Sequence, residues 1–261
     1  MSGPEIHIIS LKRTPERTAR ARTEVSRYFD EFKIFPAVDG SALSAVEIAA
    51  AYDPDGNRRY AKYPMTAGEL GCYLSHLHLW KLIAASKPDF ALVLEDDFRF
   101  SRDPTQVLNE LAGLRLADVM IKIDASMARG RQRGRMRIGQ SDLIANDVLE
   151  PRTTGYLIGR NAAATLAAQK KRFFRPVDND IKHIWEHRVP VLTLLPRLVE
   201  ETPTARSDSS INPERKAAKA ASSIRRLVRN VAYQANFRLG LALRTSKLPI
   251  PAGFFGDAGK S

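Results

Sequence analysis

The stretch Asp89-Phe90-Ala91-Leu92-Val93-Leu94-Glu95-Asp96-Asp97-Phe98 constrains this chain more than any other, because a short apolar run drives straight into three consecutive carboxylates. Five apolar residues in succession are too few for a helix and suit a strand covered on both faces, as in an α/β sheet. Three adjacent anions repel one another, so a positive partner is expected beside them. Clustered carboxylate oxygens favour a hard divalent cation, Mg²⁺ or Mn²⁺, over softer metals. An acidic turn that merely caps the strand is the other reading, and the flanking sequence has to decide between them.

A length of 261 residues with 44% hydrophobic content accommodates one substantial α/β domain, or a domain with an appendage, and excludes a disordered chain. The single cysteine, Cys72, rules out an intrachain disulfide and suits a reducing compartment. Residues 1–5 carry no positive n-region, and no segment approaches the roughly 20 apolar residues of a membrane span, so a cytoplasmic chain is expected. The formal charge of +12 is unevenly spread: residues 211–261 hold ten Lys/Arg against Glu214 and Asp257, a net of +8, which leaves +4 for residues 1–210. The expected division is therefore a domain over residues 1–211 and a basic tail over 212–261. In that tail Ile224, Leu227, Val228, Val231 and Ala235 recur at helical spacing, with Arg225, Arg226 and Arg229 off the stripe. Such a helix either lies on an anionic membrane surface or packs on the domain with its charges in water.

From the start, Glu5 to Leu11 reads as a strand, and Thr14-Pro15-Glu16 as a helix opening with Thr14 as cap and Pro15 in the first turn. Arg13 and Arg17 follow that strand, where α/β sheets bind anions, although a solvated basic helix start reads equally well. Lys33 to Val38 is a second strand ending in the turn pair Asp39-Gly40. Residues 44–62 read as a short Ala-rich helix and then a polar loop through Asp53-Pro54-Asp55-Gly56-Asn57. Thr66-Ala67-Gly68-Glu69 is a capping box, and Leu70, Tyr73, Leu74, Leu77 and Trp80 continue as an apolar stripe. Gly68 and Gly71 leave room for a ligand near the helix start, while Glu69 and His76, seven apart, flank the stripe as a binding pair or as cap and core residue.

Val119 to Ile123 is a further strand. Arg129, Arg131, Arg133, Arg135 and Arg137 alternate after it, which reads as a solvated hairpin in the absence of the aromatic residues that single-strand binders interleave. Thr153 to Gly159 is a strand, Asn161 opens a helix to about Lys170, and Asp178 and Asp180 stand ahead of a helix over Ile181 to Arg188. Within it, His183-Ile184-Trp185-Glu186-His187 matches the zinc-peptidase pattern H-x-x-E-H, a weak match of three fixed residues without a third ligand.

Six blocks in order carry a resemblance to glycosyltransferase family 25, which includes bacterial lipopolysaccharide galactosyltransferases and collagen-modifying galactosyltransferase domains. They are Ile9-Ser10-Leu11-Lys12-Arg13 with Arg17; Val38-Asp39-Gly40; Gly68-Glu69-Leu70-Gly71-Cys72-Tyr73-Leu74-Ser75-His76 with Trp80; Leu94-Glu95-Asp96-Asp97; Thr154-Gly155-Tyr156-Leu157-Ile158; and Pro176-Val177-Asp178. The resemblance covers roughly residues 5–211 and leaves out the Arg-rich segment and the tail. It implies a GT-A-like, nucleotide-sugar-binding α/β fold with an open, mainly parallel sheet. It also implies an inverting transfer from a UDP-sugar, UDP-galactose first, to a saccharide or lipid-linked acceptor. By the same resemblance Asp97, with Asp96 as second ligand, holds Mn²⁺ or Mg²⁺. Ser10, Arg13, Arg17, Asp39, Glu69, His76, Glu95 and Asp96 line the donor site, Asp39 facing uracil and Glu95 the ribose or sugar. Asp178 is the expected base, with Asp180 and Glu69 as runners-up. Two readings of other classes remain, a nucleic-acid binder from charge alone and a zinc hydrolase using His183 and His187. Neither accounts for carboxylates after a buried strand, and no nucleic-acid partner is expected.

Overall fold

In the computed structural model, which describes residues 4–61, 63–169, 172–203 and 223–244, the chain alternates strands and helices from its start. Strands are β1 (Glu5–Ser10), β2 (Lys33–Pro36), β3 (Phe90–Glu95), β4 (Phe98–Phe100), β5 (Met120–Lys122), β6 (Arg129–Ile138), β7 (Ser141–Val148), β8 (Gly155–Gly159), β9 (Val191–Leu195) and β10 (Val199–Glu201). Helices are α1 (Pro15–Val25), α2 (Ala45–Ala51), α3 (Pro54–Tyr60), α4 (Ala67–Ala84), α5 (Thr105–Ala112), α6 (Arg160–Ala168), α7 (Val177–Lys182), α8 (Ile184–His187) and α9 (Ser223–Arg244). Eight strands form one sheet in the order β2-β1-β3-β8-β5-β9-β7-β6, and β4 pairs with β10 in a separate ribbon.

Six of the eight strands point the same way, with β7 and β8 reversed, so the sheet is mainly parallel in direction. The reversals leave three of the seven neighbour pairings parallel. Alternation along the strands sets the layers. Ile6, Ile8, Leu92 and Leu94 face one core with Val25 and Leu111, whereas Ile9, Ala91 and Val93 face a second core with Leu74, Trp80 and Ala163. A sheet buried on both faces needs apolar residues at every position, as β3 has. The order β2-β1-β3 places successive connections on opposite sides of β1, a topological switch that opens a crevice at the carboxyl ends of the strands.

Several local expectations change. Thr14 occupies the cap position of α1 without capping it; its hydroxyl donates back to Leu11 O at 3.1 Å. Residues 53–57 form helix α3 instead of a loop, because Asp53 accepts from the N–H groups of Asp55 and Gly56, Pro54 suits the first turn, and Asn57 Nδ2 donates to Phe174 O at 2.8 Å. The helix expected over residues 181–188 starts at Val177 and breaks at His183. The Asn179 carbonyl that would accept the His183 N–H is taken by His183 Nδ1–H at 2.5 Å, and the His183 N–H turns to Asp180 O.

The tail helix α9 is docked on the domain. Tyr233 and Phe237, each 6% exposed, pack with His183 and Trp185, and a β-carbon on Gly240 would lie 2.3 Å from the Trp185 ring. The expected stripe is not the docked face: Val231 is 61% exposed, Ala235 is exposed, and Leu239 and Leu243 continue on the same outer side at 56% and 62%. Ile224, Leu227, Val228 and the three arginines among them lie outside the residues whose side chains are described, as does the expected boundary at 211/212.

Candidate active site

The three carboxylates sit where the switch in strand order predicts a ligand. Glu95 ends β3, Asp96 and Asp97 form the turn into β4, and the turn is fastened by Thr202 N–H donating to Asp97 O at 2.7 Å. They form one wall of a solvent-open cleft whose other walls are Ile9 to Arg17 at the end of β1 and beyond it, Ala37 to Ser41 after β2, and the start of α4. Gly40 and Gly71 make the walls meet: a β-carbon on Gly71 would lie 2.5 Å from Val38 O, and one on Gly40 1.7 Å from Ala67 O. Gly71 thus admits the 38–40 backbone and not a ligand, whereas Gly68 does line the cleft.

Cation charge enters from α1. The Arg17 guanidinium pairs with Asp96 Oδ1 and lies 3.1 Å from Asp97 Oδ2. Ser10 Oγ donates to Asp96 Oδ2 at 2.6 Å, so both Asp96 oxygens are engaged. Asp97 differs: its Oδ1 is buried with no hydrogen-bond partner. Burial first, then the charges of Glu95 and Asp96, push its carboxyl up to about 7 against the opposing pull of Arg17. An acid held in that state is short of positive charge, and its oxygen matches the hard-ligand chemistry of Mg²⁺ or Mn²⁺. Asp97 therefore fits a metal ligand, with Asp96 able to join only by sharing oxygens already used.

Arg13 Nε lies 2.7 Å from Asp39 Oδ2, and Asp39 Oδ1 accepts from Ser41 N–H and Oγ–H. Two carboxylate oxygens offer about four acceptor positions, so Asp39 keeps capacity for one more donor. His76 is fully buried, hydrogen-bonded to Tyr156 Oη at 2.8 Å and Glu95 Oε1 at 3.1 Å. Thr153 Oγ1 donates to the same Glu95 oxygen at 2.5 Å. Burial pushes the Glu95 carboxyl up, and the contacts with His76, Thr153 and Arg17 together outweigh it and hold it below its usual range. The structure thus brings Ser10, Arg13, Arg17, Asp39, His76, Glu95, Asp96 and Asp97 to one place.

Glu69 and Asp180 fall outside it. Glu69 is 2% exposed and its Oε2 accepts the Thr66 N–H at 2.9 Å, completing the capping box. Asp180 accepts from Tyr73 Oη at 2.5 Å and Arg175 Nε at 2.6 Å, inside a knot with Glu186. In this structure the one caps α4 and the other sits in an ion-pair knot. Asp178 stands in the first turn of α7, and its charge reaches Cys72 in the cleft wall. Thr153 and Tyr156, given no site role by the sequence, join the site as hydrogen-bond partners of Glu95 and His76 across dozens of residues.

The zinc reading fails on the ring nitrogens. His187 Nε2–H donates to Ile181 O at 2.7 Å while its Nδ1 accepts the Val189 N–H at 3.1 Å, so no lone pair is left for a metal. Burial, with Arg175 behind it, pushes His183 down to about 4, and it belongs to the aromatic cluster under α9. Among the described residues, ligand atoms of Cys72, His76 and Glu95 lie within 4.8 Å of one another. Burial, then the neighbouring carboxylates, drive the Cys72 thiol well up, which keeps it protonated and a poor ligand. The arginine segment is a β6–β7 hairpin, as expected, and Arg133, Arg135 and Arg137 pair with Asp147 and Asp142 on β7, which offsets charge a nucleic acid would need.

A match to the family model described as glycosyltransferase family 25 (LPS biosynthesis protein) spans residues 3–181, most of the chain and all of the cleft walls. The chain belongs to glycosyltransferase family 25. Family 25 relatives include a glycosyltransferase 25 family member of Drosophila melanogaster, 30% identical over 78% of this chain and 32% of its own length. Another is procollagen galactosyltransferase 2 of Mus musculus, 36% identical over 42% of this chain and 18% of its own. The chain thus spans about a third or less of the length of these relatives. Among solved structures, galactosyltransferase LgtC in complex with donor and acceptor sugar analogs is similar at 11% identity and a TM-score of 0.40, covering 84% of this chain and 97% of that one. The apo-form glycosyltransferase GlyE of Streptococcus pneumoniae is similar at 10% identity and a TM-score of 0.40, covering 92% and 62%.

Proposed function

We propose that this family 25 chain is a metal-dependent, inverting glycosyltransferase. It moves a hexose, galactose first, from a UDP-sugar to a saccharide or lipid-linked acceptor in cell-surface polysaccharide or lipooligosaccharide synthesis. The observation that carries the reading is Asp97: a buried, unpartnered carboxylate oxygen in the cleft at the sheet's switch point. Asp97, with Asp96 beside it, would hold Mn²⁺ or Mg²⁺, which when bound supplies positive charge against the departing diphosphate.

The chain's own residues do the rest. Arg17 and Arg13 border the cleft where two phosphates would lie, Asp39 offers an acceptor toward the base, and Glu95 orients the ribose or sugar. Inversion is one displacement: the acceptor oxygen bonds to the anomeric carbon as the bond to the diphosphate oxygen breaks, and the acceptor proton passes to a carboxylate. Asp178, in the first turn of α7, is that base in this reading. The outer stripe of α9, in a basic segment, supports contact with an anionic membrane surface where a lipid-linked acceptor would reside, so the location proposed is cytoplasmic and peripheral. No helix among the described residues is long and apolar enough to cross a membrane.

Donor hydrolysis measured over a panel of nucleotide sugars, with Mn²⁺ and with chelator, tests the reading. UDP-galactose turnover that chelator abolishes is the expected result. A metal-loaded chain that turns over no nucleotide sugar, with or without acceptor saccharides, overturns it.

A further inference from the structure

Three buried side chains form a line of hydrogen bonds that ends on a carboxylate of the cleft. Trp80 Nε1 lies 2.9 Å from Tyr156 Oη, Tyr156 Oη 2.8 Å from His76 Nδ1, and His76 Nε2 3.1 Å from Glu95 Oε1. Trp80, Tyr156 and His76 are 2%, 1% and 0% exposed. The Trp80–Tyr156 and Tyr156–His76 bonds are buried, while the Glu95 side chain at the cleft end is 26% exposed, so the directions along the line are set from its Trp80 end.

An indole nitrogen can only donate. Tyr156 Oη therefore accepts from Trp80, and its own proton is directed to its other hydrogen-bond partner among the described residues, His76 Nδ1. Burial pushes the Tyr156 hydroxyl well up, so that proton stays in place. With Nδ1 accepting, the ring proton is on Nε2 and points at Glu95. The reverse tautomer would aim two N–H groups at one phenol oxygen and leave the phenol proton buried without an acceptor.

We infer that His76 is a positioning residue, locked by Trp80 and Tyr156 as the Nε2–H tautomer, that holds the Glu95 carboxylate in one orientation at the donor site. The inference rests on the donor-site reading above for the use to which Glu95 is put, not for the lock itself. Thr153 supplies the second donor to the same oxygen, so Glu95 Oε1 is fixed from two sides. A singly protonated imidazole orients the carboxylate without bringing a full positive charge into a group that already contains Arg17. A lysine at this position would give the hydrogen bond and cancel an acid as well. The lock also accounts for the Cys72, His76 and Glu95 cluster, since Nδ1 is spoken for and Nε2 carries its proton.

Nitrogen NMR on ¹⁵N-histidine-labelled full chain tests the lock without substrate, the His76 signal being assigned as the one lost in His76→Gln. Expected is an unprotonated Nδ1 and a protonated Nε2, with both averaged toward a tautomer mixture in Tyr156→Phe. An Nδ1–H tautomer, or a doubly protonated ring at pH 7, overturns the inference. The positioning role is read in donor hydrolysis. His76→Phe should lose about ten- to a hundredfold in kcat/KM, the usual effect of removing an orienting partner, and His76→Gln, whose side-chain amide can donate to Glu95, should recover most of it. Equal loss in the two folded variants overturns the role. A wild-type chain with the Nε2–H tautomer but no turnover of any nucleotide sugar would instead count against the transferase reading and leave the lock standing.

Discussion

Replacing Asp97, the proposed metal ligand, should make this fold more stable when no metal is present. Asp97 has its carboxyl raised from 3.8 to about 7, chiefly by burial and then by Glu95 and Asp96. A raised acid holds its proton in the native state after the unfolded chain has lost it, so stability is full below pH 3.8 and is lost as pH climbs to 7. The gap of about three pH units corresponds to about 4 kcal/mol at pH 8. The side chain is 16% exposed, so solvent screening removes only part of that figure. Asp97→Asn keeps the shape and abolishes the ionisation, although it weakens the 3.1 Å contact with Arg17, which retains Asp96. Urea unfolding in chelator, run for both proteins at pH 4, 6 and 8, should show the two nearly equal at pH 4 and the variant ahead by about 2–4 kcal/mol at pH 8. Mn²⁺ at a thousandfold its Kd should then close or reverse the gap, since it stabilises the native state by about 4.1 kcal/mol and the variant lacks the proposed ligand. A difference that does not change with pH, or a variant less stable at pH 8 in chelator, would refute the assignment of strain to this carboxylate.

Asp178→Ala should lower transfer by about 10²- to 10⁴-fold while UDP affinity, measured by calorimetry, stays nearly unchanged; lost UDP binding would move Asp178 to the donor side. The intact chain should float with anionic vesicles and weakly with neutral ones, and a chain with Val231, Leu239 and Leu243 changed to Ser should stay in the soluble fraction, because each basic residue near a surface adds only about 1 kcal/mol and the apolar face must contribute the rest. Unchanged flotation of that triple variant would exclude the outer face of α9 as the contact.

The parts of the fold legible in the sequence are those decided by near neighbours. The run ending in Glu95-Asp96-Asp97 reads as a buried strand with an exposed acidic end because five apolar residues in a row have no other stable placement in a mixed chain. Thr66 and Glu69 are three residues apart and cap the same helix, so that reading survives intact. Residues 53–57 mislead for the opposite reason: Asp, Pro, Gly and Asn serve a turn or a helix start equally well, and the choice is made by Asn57 reaching Phe174, 117 positions away. His183 breaks a helix by competing for a carbonyl, which residue spacing does not reveal. Tyr156 is the clearest omission in the site. Its strand was recognisable, but its partners Trp80 and His76 lie 76 and 80 positions earlier, and only the antiparallel pairing of β8 with β3 brings them together. The tail shows a subtler limit, because α9 has two apolar faces, and the stripe with the better helical spacing is the one left outside.

Strand β6 ends the sheet with one side of its backbone unpaired, the kind of edge onto which another extended chain can add itself. Arg129, Arg133, Arg135 and Arg137 occupy that edge, tethered by Glu150, Asp147 and Asp142, and the register with β7 shifts twice between Arg129 and Gly134. Long cations at the rim and a backbone thrown out of step both oppose strand addition. Neutralising these arginines should therefore show first as insoluble protein, ahead of any loss of turnover.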